Sequence, residues 1–376
     1  MVDEDGEIEP VGYSQALLAD GSLGLHVAAD VAETVAPWRP RLPEEFATLR
    51  ADAASLVVRR GPAVRALPDA APLLELRRLR VWMLPSGTHA LLADTAGHLS
   101  AEVDLDARRA TVHIPDPQRA AAEAAVEVFA ALSVASALLL TRLGRALVHA
   151  AAVVVPGGGA LLFAGGTFSG KTTTCLTLAR VGWEWLSDDH VVLGDDGAGG
   201  VSVAGWPRRF NLDTGPAGRP AGVRMRGDPP AGWRASAAAG ALVFSRIEAA
   251  LPTALEPVAP AAALGMLLDQ SPWLLADRAG ARPVLALLQC AARLPAFALR
   301  LGLDSHHDPA VLRTALAPAA EAARRVGGAP SPGADGAPAR ELDRAAETTY
   351  PHMPQAAGPA PHPPCRYLIP RKTEDQ

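Results

Sequence analysis

Ala146-Leu-Val-His-Ala-Ala-Ala-Val-Val-Val155, Pro156-Gly-Gly-Gly159, Ala160-Leu-Leu-Phe-Ala164 and Gly165-Gly-Thr-Phe-Ser-Gly-Lys-Thr172 follow one another without interruption. The last eight residues fit GxxxxGK[ST] at every fixed position. The apolar run before them predicts a buried strand, and Thr172 to Arg180 predicts a helix, which is the strand–loop–helix context the motif requires. Backbone N–H groups at a helix start lack intrahelical acceptors and sit in a positive field of about half a charge, so they face an anion favourably. Gly165, Gly166, Thr167, Phe168, Ser169, Gly170, Lys171, Thr172 and Thr173 are therefore the expected nucleotide-binding residues. Lys171 adds a positive charge against the β/γ-phosphates, and the Thr172 hydroxyl faces Mg²⁺. The short Gly turn at 156–159 joins two apolar runs and predicts a hairpin; a Rossmann-type fold would place a helix between parallel strands there.

Ser187-Asp188-Asp189 interrupts the next apolar strand, Glu184 to Leu193. Two adjacent carboxylates repel unless a cation lies between them. Mg²⁺ on a nucleotide is such a cation, so Asp188 and Asp189, with Thr172, are the expected metal-binding residues. One carboxylate can hold the metal and the other can accept a proton from an attacking hydroxyl. His149 stands mid-strand, where a hydrogen-bonded core histidine is the ordinary explanation. Arg208 and Arg209 follow Trp206-Pro207, and a guanidinium near a transferring phosphoryl group stabilises the transition state. Asp195-Asp196 reads as a hairpin turn. His306-His307, beside Asp304 and Asp308, has no fixed ligand spacing and reads as a solvated loop.

The chain has 376 residues, 49% of them hydrophobic, and a formal net charge of −5. The charge argues against nucleic acid as a partner. Cys175, Cys290 and Cys365 form no CxxC pair, which points to a reducing cytoplasm. The acidic start, Met1-Val-Asp-Glu-Asp, lacks the basic opening of a signal peptide. Val128 to Leu140 is too short for a membrane span and predicts a buried helix. The expected organisation is an irregular segment (1–45), a small α+β domain (46–143), a nucleotide-binding domain (144–326) and a Pro/Gly/Ala-rich disordered tail (327–376). In the second region a small antiparallel sheet spans Leu76 to His113, with a long helix at Pro117 to Leu143. In the third, Val201 to Ala204, Ala241 to Phe244 and Ala296 to Leu301 read as strands. Pro260 to Leu268, Pro283 to Ala292 and Pro309 to Arg325 read as helices.

Leu147-Val-His-Ala, the Gly-turned hairpin, the GxxxxGKT loop, a helix ending in Val181-Gly-Trp183 and the Ser-Asp-Asp strand together resemble the catalytic domain of HPr kinase/phosphorylase. They resemble still more the HPr-kinase-like proteins found in peptide-modification gene clusters. The resemblance covers about residues 145–325 and is densest over 147–193. It implies an α/β P-loop fold with a mixed sheet, related to ATP-dependent phosphoenolpyruvate carboxykinase. It further implies Lys171 as the phosphate lysine, Thr172 as the Mg²⁺ hydroxyl, Asp188 as the catalytic carboxylate with Asp189 its acidic neighbour, and His149 as a histidine beside the active site. Arg208 or Arg209 falls where related proteins carry a basic residue. Two features differ from the family pattern. Phe168 replaces a glycine, and Trp206-Pro-Arg-Arg-Phe210 stands where the family has Glu-x-Arg-Gly.

The expected function is ATP- and Mg²⁺-dependent phosphoryl transfer to a serine hydroxyl of a protein or peptide, in the cytoplasm, with neither nucleic acid nor membrane as partner; a homo-oligomer is compatible with it. The alternative is an ATP-binding module that regulates or presents a peptide or partner enzyme without phosphoryl transfer. A small-molecule kinase ranks lower because no basic oxyacid pocket is evident. No Asn-Lys-x-Asp guanine reader occurs.

Overall fold

Two large sheets, joined by one apolar helix, build the body of the computed structural model. It describes residues 11–38, 48–62, 67–76, 79–206, 210–213, 224–227 and 231–327. The first sheet contains β1 (Val11–Ala16), β2 (Leu23–Ala28), β3 (Ala54–Arg60), β4 (Leu74–Leu76), β5 (Leu79–Met83), β6 (His89–Asp94), β7 (Ser100–Asp104) and β8 (Arg109–Ile114), in the order β1-β2-β3-β8-β7-β6-β5-β4. Strand β3 runs parallel to both β2 and β8, while the remaining neighbours are antiparallel.

This arrangement corrects two expectations. The sheet is larger than expected and mixed. Residues 11–38 are not irregular: β1 and β2 extend the sheet, and a short helix, α1 (Ala32–Val35), follows. Residues 23–27 alternate as Leu, Gly, Leu, His and Val, a strand pattern that the irregular reading of this segment passed over.

Helix α2 (Pro117–Glu123) ends at Ala124, whose φ of −129° leaves the helical region, and α3 (Ala125–Arg142) begins beyond it. The single long helix expected here is thus two. Helix α3 is long and apolar enough to cross a membrane by composition, but 67% of it is buried inside the protein. One hydrophobic core contains Val128, Leu132, Leu138 and Leu139 of this helix, Leu56, Val58, Leu92 and Val112 of the first sheet, and Leu147 and Val192 of the second.

The second sheet contains β9 (Ala146–Val148), β10 (Ala150–Val154), β11 (Ala160–Ala164), β12 (Glu184–Ser187), β13 (Val191–Asp195) and β14 (Val201–Gly205). A separate two-stranded ribbon pairs β15 (Phe210–Asp213) with β16 (Arg224–Gly227). The sheet is completed by β17 (Ser236–Ile247), β18 (Ala254–Pro257) and β19 (Ala296–Leu301). The expected hairpin is present: β10 and β11 are antiparallel, with Val154 opposite Ala160. Strand β11 then lies parallel to β17, which in turn lies parallel to β19. The Gly165–Gly170 loop therefore leaves the C-terminal edge of parallel strands and enters α4 (Lys171–Arg180).

The run 146–155, expected as one strand, is broken at His149. Its amide donates to the Gln270 carbonyl (3.0 Å), and the chain changes partner from β13 to β11 and β12. The Glu184–Leu193 run breaks at residues 188–190, as its polar interruption predicted. Val148 pairs with Val191 and Ala152 with Ser187. One register therefore carries across both breaks and sets His149 opposite His190.

Helix α5 (Pro260–Asp269) follows the sequence expectation. Helix α6 (Arg278–Ala291) starts earlier than expected, because Asp277 accepts from the amides of Ala279 and Gly280 and caps it, leaving Pro283 inside. After α7 (Leu303–His307), the expected 309–325 helix is divided into α8 (Pro309–Ala315) and α9 (Ala317–Gly327). The tail beyond Gly327 lies outside the described residues.

Candidate functional site

The loop that joins β11 to α4 takes a tight path that its glycines permit. Gly165 has φ 155° and Gly170 has φ 90°. A Cβ on Gly165 would come within 2.7 Å of the Ser245 carbonyl, and one on Gly170 within 2.5 Å of Leu301. Phe168 adopts φ 65° and is 61% exposed, so a bulky residue occupies left-handed backbone that ordinarily favours glycine. Gly170 precedes α4 with no side-chain cap, and there is no acidic residue in the first turn. The amides at this end therefore remain available to an anion.

Lys171 is 5% exposed. Its ammonium donates to the Gly165 and Gly166 carbonyls, each at 2.8 Å, and approaches Ser169 Oγ at 3.5 Å. Burial brings its pKa down to about 8; the negative charges of Asp189 and Asp188 act in the opposite direction. The Thr172 hydroxyl donates to the Asp188 carbonyl (3.3 Å) and to Asp188 Oδ2 (3.4 Å). Asp188 is 1% exposed and points back to the loop helix.

The neighbouring carboxylate has a different setting. Asp189 Oδ1 stands 3.4 Å from His149 Nε2, and its Oδ2 stands 2.5 Å from His190 Nδ1, with a fifth of the Asp189 side chain exposed (21%). The two imidazoles lie 5.6 Å apart, centroid to centroid. His190 sits among Phe129, Trp206 and Trp273, at 5.4, 6.1 and 6.2 Å. Trp273 Nε1 and Ser271 Oγ both donate to the Leu147 carbonyl, and Gln270 accepts from the His149 amide. Residues 270–273 thus brace the strand break that presents His149.

The structure therefore brings together Lys171, Thr172, Asp188, Asp189 and His149. Thr167 and Thr173 are exposed on the loop and on the first turn of α4. Arg208 and Arg209 lie outside the described residues. Sequence reasoning passed over His190; its signal was a histidine directly after an acid pair at the head of a buried strand. Ser245, Gln270 and Trp273 carried no comparable signal, because only tertiary contact brings them to the site.

Among the described residues, no group of three or more His, Cys, Asp or Glu side chains is arranged to hold a metal. The Asp304 carboxylate, near His306-His307, accepts from the Thr253 amide and hydroxyl. The Thr172 hydroxyl beside the Asp188 carboxylate is a pair of hard oxygen donors. That pair fits Mg²⁺, which takes few protein ligands and draws the rest from phosphate and water.

No protein-family model matches this chain, and no curated protein matches it in sequence. Among solved structures the chain is similar to the Hpr(Ser) kinase/phosphatase from Coxiella burnetii. The identity is 13% and the TM-score 0.27, over 46% of this chain and 94% of that one.

Proposed function

We propose that this protein is an ATP- and Mg²⁺-dependent phosphotransferase acting on a serine hydroxyl of a protein or peptide. The observation that carries the reading is the buried Lys171 ammonium, clamped by Gly165 and Gly166 within the field of two aspartates. Lys171 and Lys372 are the two lysines of a chain with 33 arginines. The loop keeps a compact, strongly localised charge where the chain, Lys372 apart, uses guanidinium.

In this reading the loop amides and Lys171 hold the triphosphate, and Thr172 and Asp188 hold the metal. Mg²⁺, when bound, neutralises charge on the phosphate oxygens. The resemblance gives the proton-accepting role to Asp188; because that carboxylate is buried and turned to Thr172, we assign the role instead to Asp189, which is more open and backed by His149. The acceptor oxygen bonds to the γ-phosphorus as the bond from that phosphorus to the β–γ bridging oxygen breaks, leaving ADP. Arg208 or Arg209 would add charge to the phosphoryl group.

The exposed Phe168, at positive φ inside the loop, favours the second reading, in which ATP binds and orders a surface for a partner without transfer.

An acyl-phosphate derivative of ATP is the direct test, since it acylates a lysine amine held against the phosphates. Labelling of Lys171, blocked by excess ATP, together with transfer of γ-label to a serine peptide, supports the first reading. Labelling without transfer, with intact ATP recovered from a nucleotide-dependent complex, supports the second. Absence of protectable labelling at Lys171 contradicts both.

A further inference from the structure

We infer that the site holds a subsite for an apolar side chain of the phosphoacceptor, in a cavity of about 180 Å³ lying between Gly165 of the phosphate loop and Gln270 beside His149. The inference rests on the phosphotransferase reading and names the acceptor class for that site.

Phe244, Met266 and Ala298 form the apolar part of the cavity wall, and Ser245, Arg246 and Asp269 also line it. Position decides what can occupy it. Lys171 rests its ammonium on the Gly165 carbonyl, and a phosphate-loop lysine grips the β/γ end of a triphosphate. The cavity therefore adjoins the phosphoryl group to be transferred. Its other wall, Gln270, accepts from the His149 amide, and the His149 ring stands 3.4 Å from Asp189. A hydroxyl placed between the γ-phosphorus and Asp189 would hold its neighbouring residue over this cavity.

The surroundings favour a peptide over a small polar metabolite. Phe168 is 61% exposed, Ile247 55% and Met266 38%. Ile247 lies beside Gly170, since a Cβ on that glycine would meet it at 3.5 Å. The phosphate loop is thus rimmed by exposed apolar side chains, as partner-binding surfaces are.

The test uses the full chain with Mg²⁺, γ-labelled ATP and synthetic serine peptides carrying Leu, Phe, Gly or Asp beside the serine. Fluorescein-tagged versions are followed by polarisation with a non-hydrolysable ATP analogue, whose own binding is read by calorimetry. The expected result is a preference of at least about tenfold in kcat/KM for Leu or Phe over Gly or Asp. Ala298→Trp should erase that preference by filling the cavity. Should that variant fail to fold, Met266→Glu serves instead and should move the preference from Leu towards Lys. Transfer without side-chain preference, or a preference that survives both substitutions, overturns the subsite while leaving the phosphotransferase reading intact. So do tagged peptides that fail to bind once the analogue is bound. If Ala298→Trp weakens the analogue and spares the peptide preference, the cavity seats the base and the inference fails. An analogue that does not bind removes the reading beneath it as well.

Discussion

Lys171 shows at the scale of one residue what burying a charge does to folding stability. Burial opposes its charge, and its pKa falls from 10.5 to about 8. Between those two values the unfolded chain keeps a proton that the native state has released, so native stability from this group rises with pH across that window. At pH 7 the charged, buried amine costs about 3 kcal/mol relative to its exposed reference. Lys171→Met is therefore expected to abolish nucleotide binding in calorimetry while leaving the thermal midpoint unchanged or higher. A lower midpoint would mean that the clamp on the two glycine carbonyls, and not anion binding, is what keeps an amine there. Phe168 poses the related problem in the backbone. A non-glycine residue at φ 65° carries about 1 kcal/mol or more of strain, and this exposed ring recovers little of it by burial. Phe168→Gly should raise stability by about 1 kcal/mol in denaturant titration, and under the acceptor inference it should weaken peptide binding at the same time.

The elements divide by how local their causes are. The β10–β11 hairpin was legible because two apolar runs and a Gly-rich turn determine it within 20 residues, and the loop and α4 follow from the motif. The break at His149 was not legible, because it depends on a hydrogen bond to Gln270, which is distant in sequence, and on a change of sheet partner. The same holds for the place of β1 and β2 in the sheet, decided by β2 pairing with β3 and β1 with β2, and for the division at Ala124, next to Glu123. His98, on the β6–β7 turn, sits with Nδ1 2.9 Å from Asp94 Oδ2 and Nε2 3.1 Å from Glu123 Oε2 of α2. Hydrogen bonds to Asp94 and then to Glu123 raise its pKa above 6.5. Because the folded value is the higher one, the stabilisation is complete below pH 6.5 and is lost as pH rises through the folded value. The difference in thermal midpoint between wild type and His98→Ala should accordingly be larger at pH 6 than at pH 9. An equal difference at the two values would show that His98 acts by packing alone.

At the scale of the molecule, α3 ties the site to the first sheet. Its residues share one core with that sheet and with Leu147 and Val192, which stand two residues from His149 and His190. Phe129 on this helix meets His190 at 5.4 Å and stacks on Trp38 at 4.5 Å. Arg142 at its end donates through Nε to the buried Asp277 at 2.6 Å, and Asp277 caps α6. A sequence reading that divides the chain at 143/144 separates what this core joins, since Leu147 and Val192 of the second sheet enter the core that α3 shares with the first, although most of the second sheet packs in its own core against α5 and α6. If they unfold as one unit, a ligand that binds only the native state should slow opening everywhere by the same free energy, about 2.7 kcal/mol at a hundredfold excess over Kd. Hydrogen exchange with a non-hydrolysable ATP analogue checks this. The globally exchanging amides of β5 to β7 should gain the same protection as those of β10, β11 and β17, although no residue of the first sheet belongs to the phosphate loop. Protection gained by the second sheet alone would show that the shared core does not bind the two into one cooperative unit, and that α3 can release the first sheet while the phosphate loop stays folded.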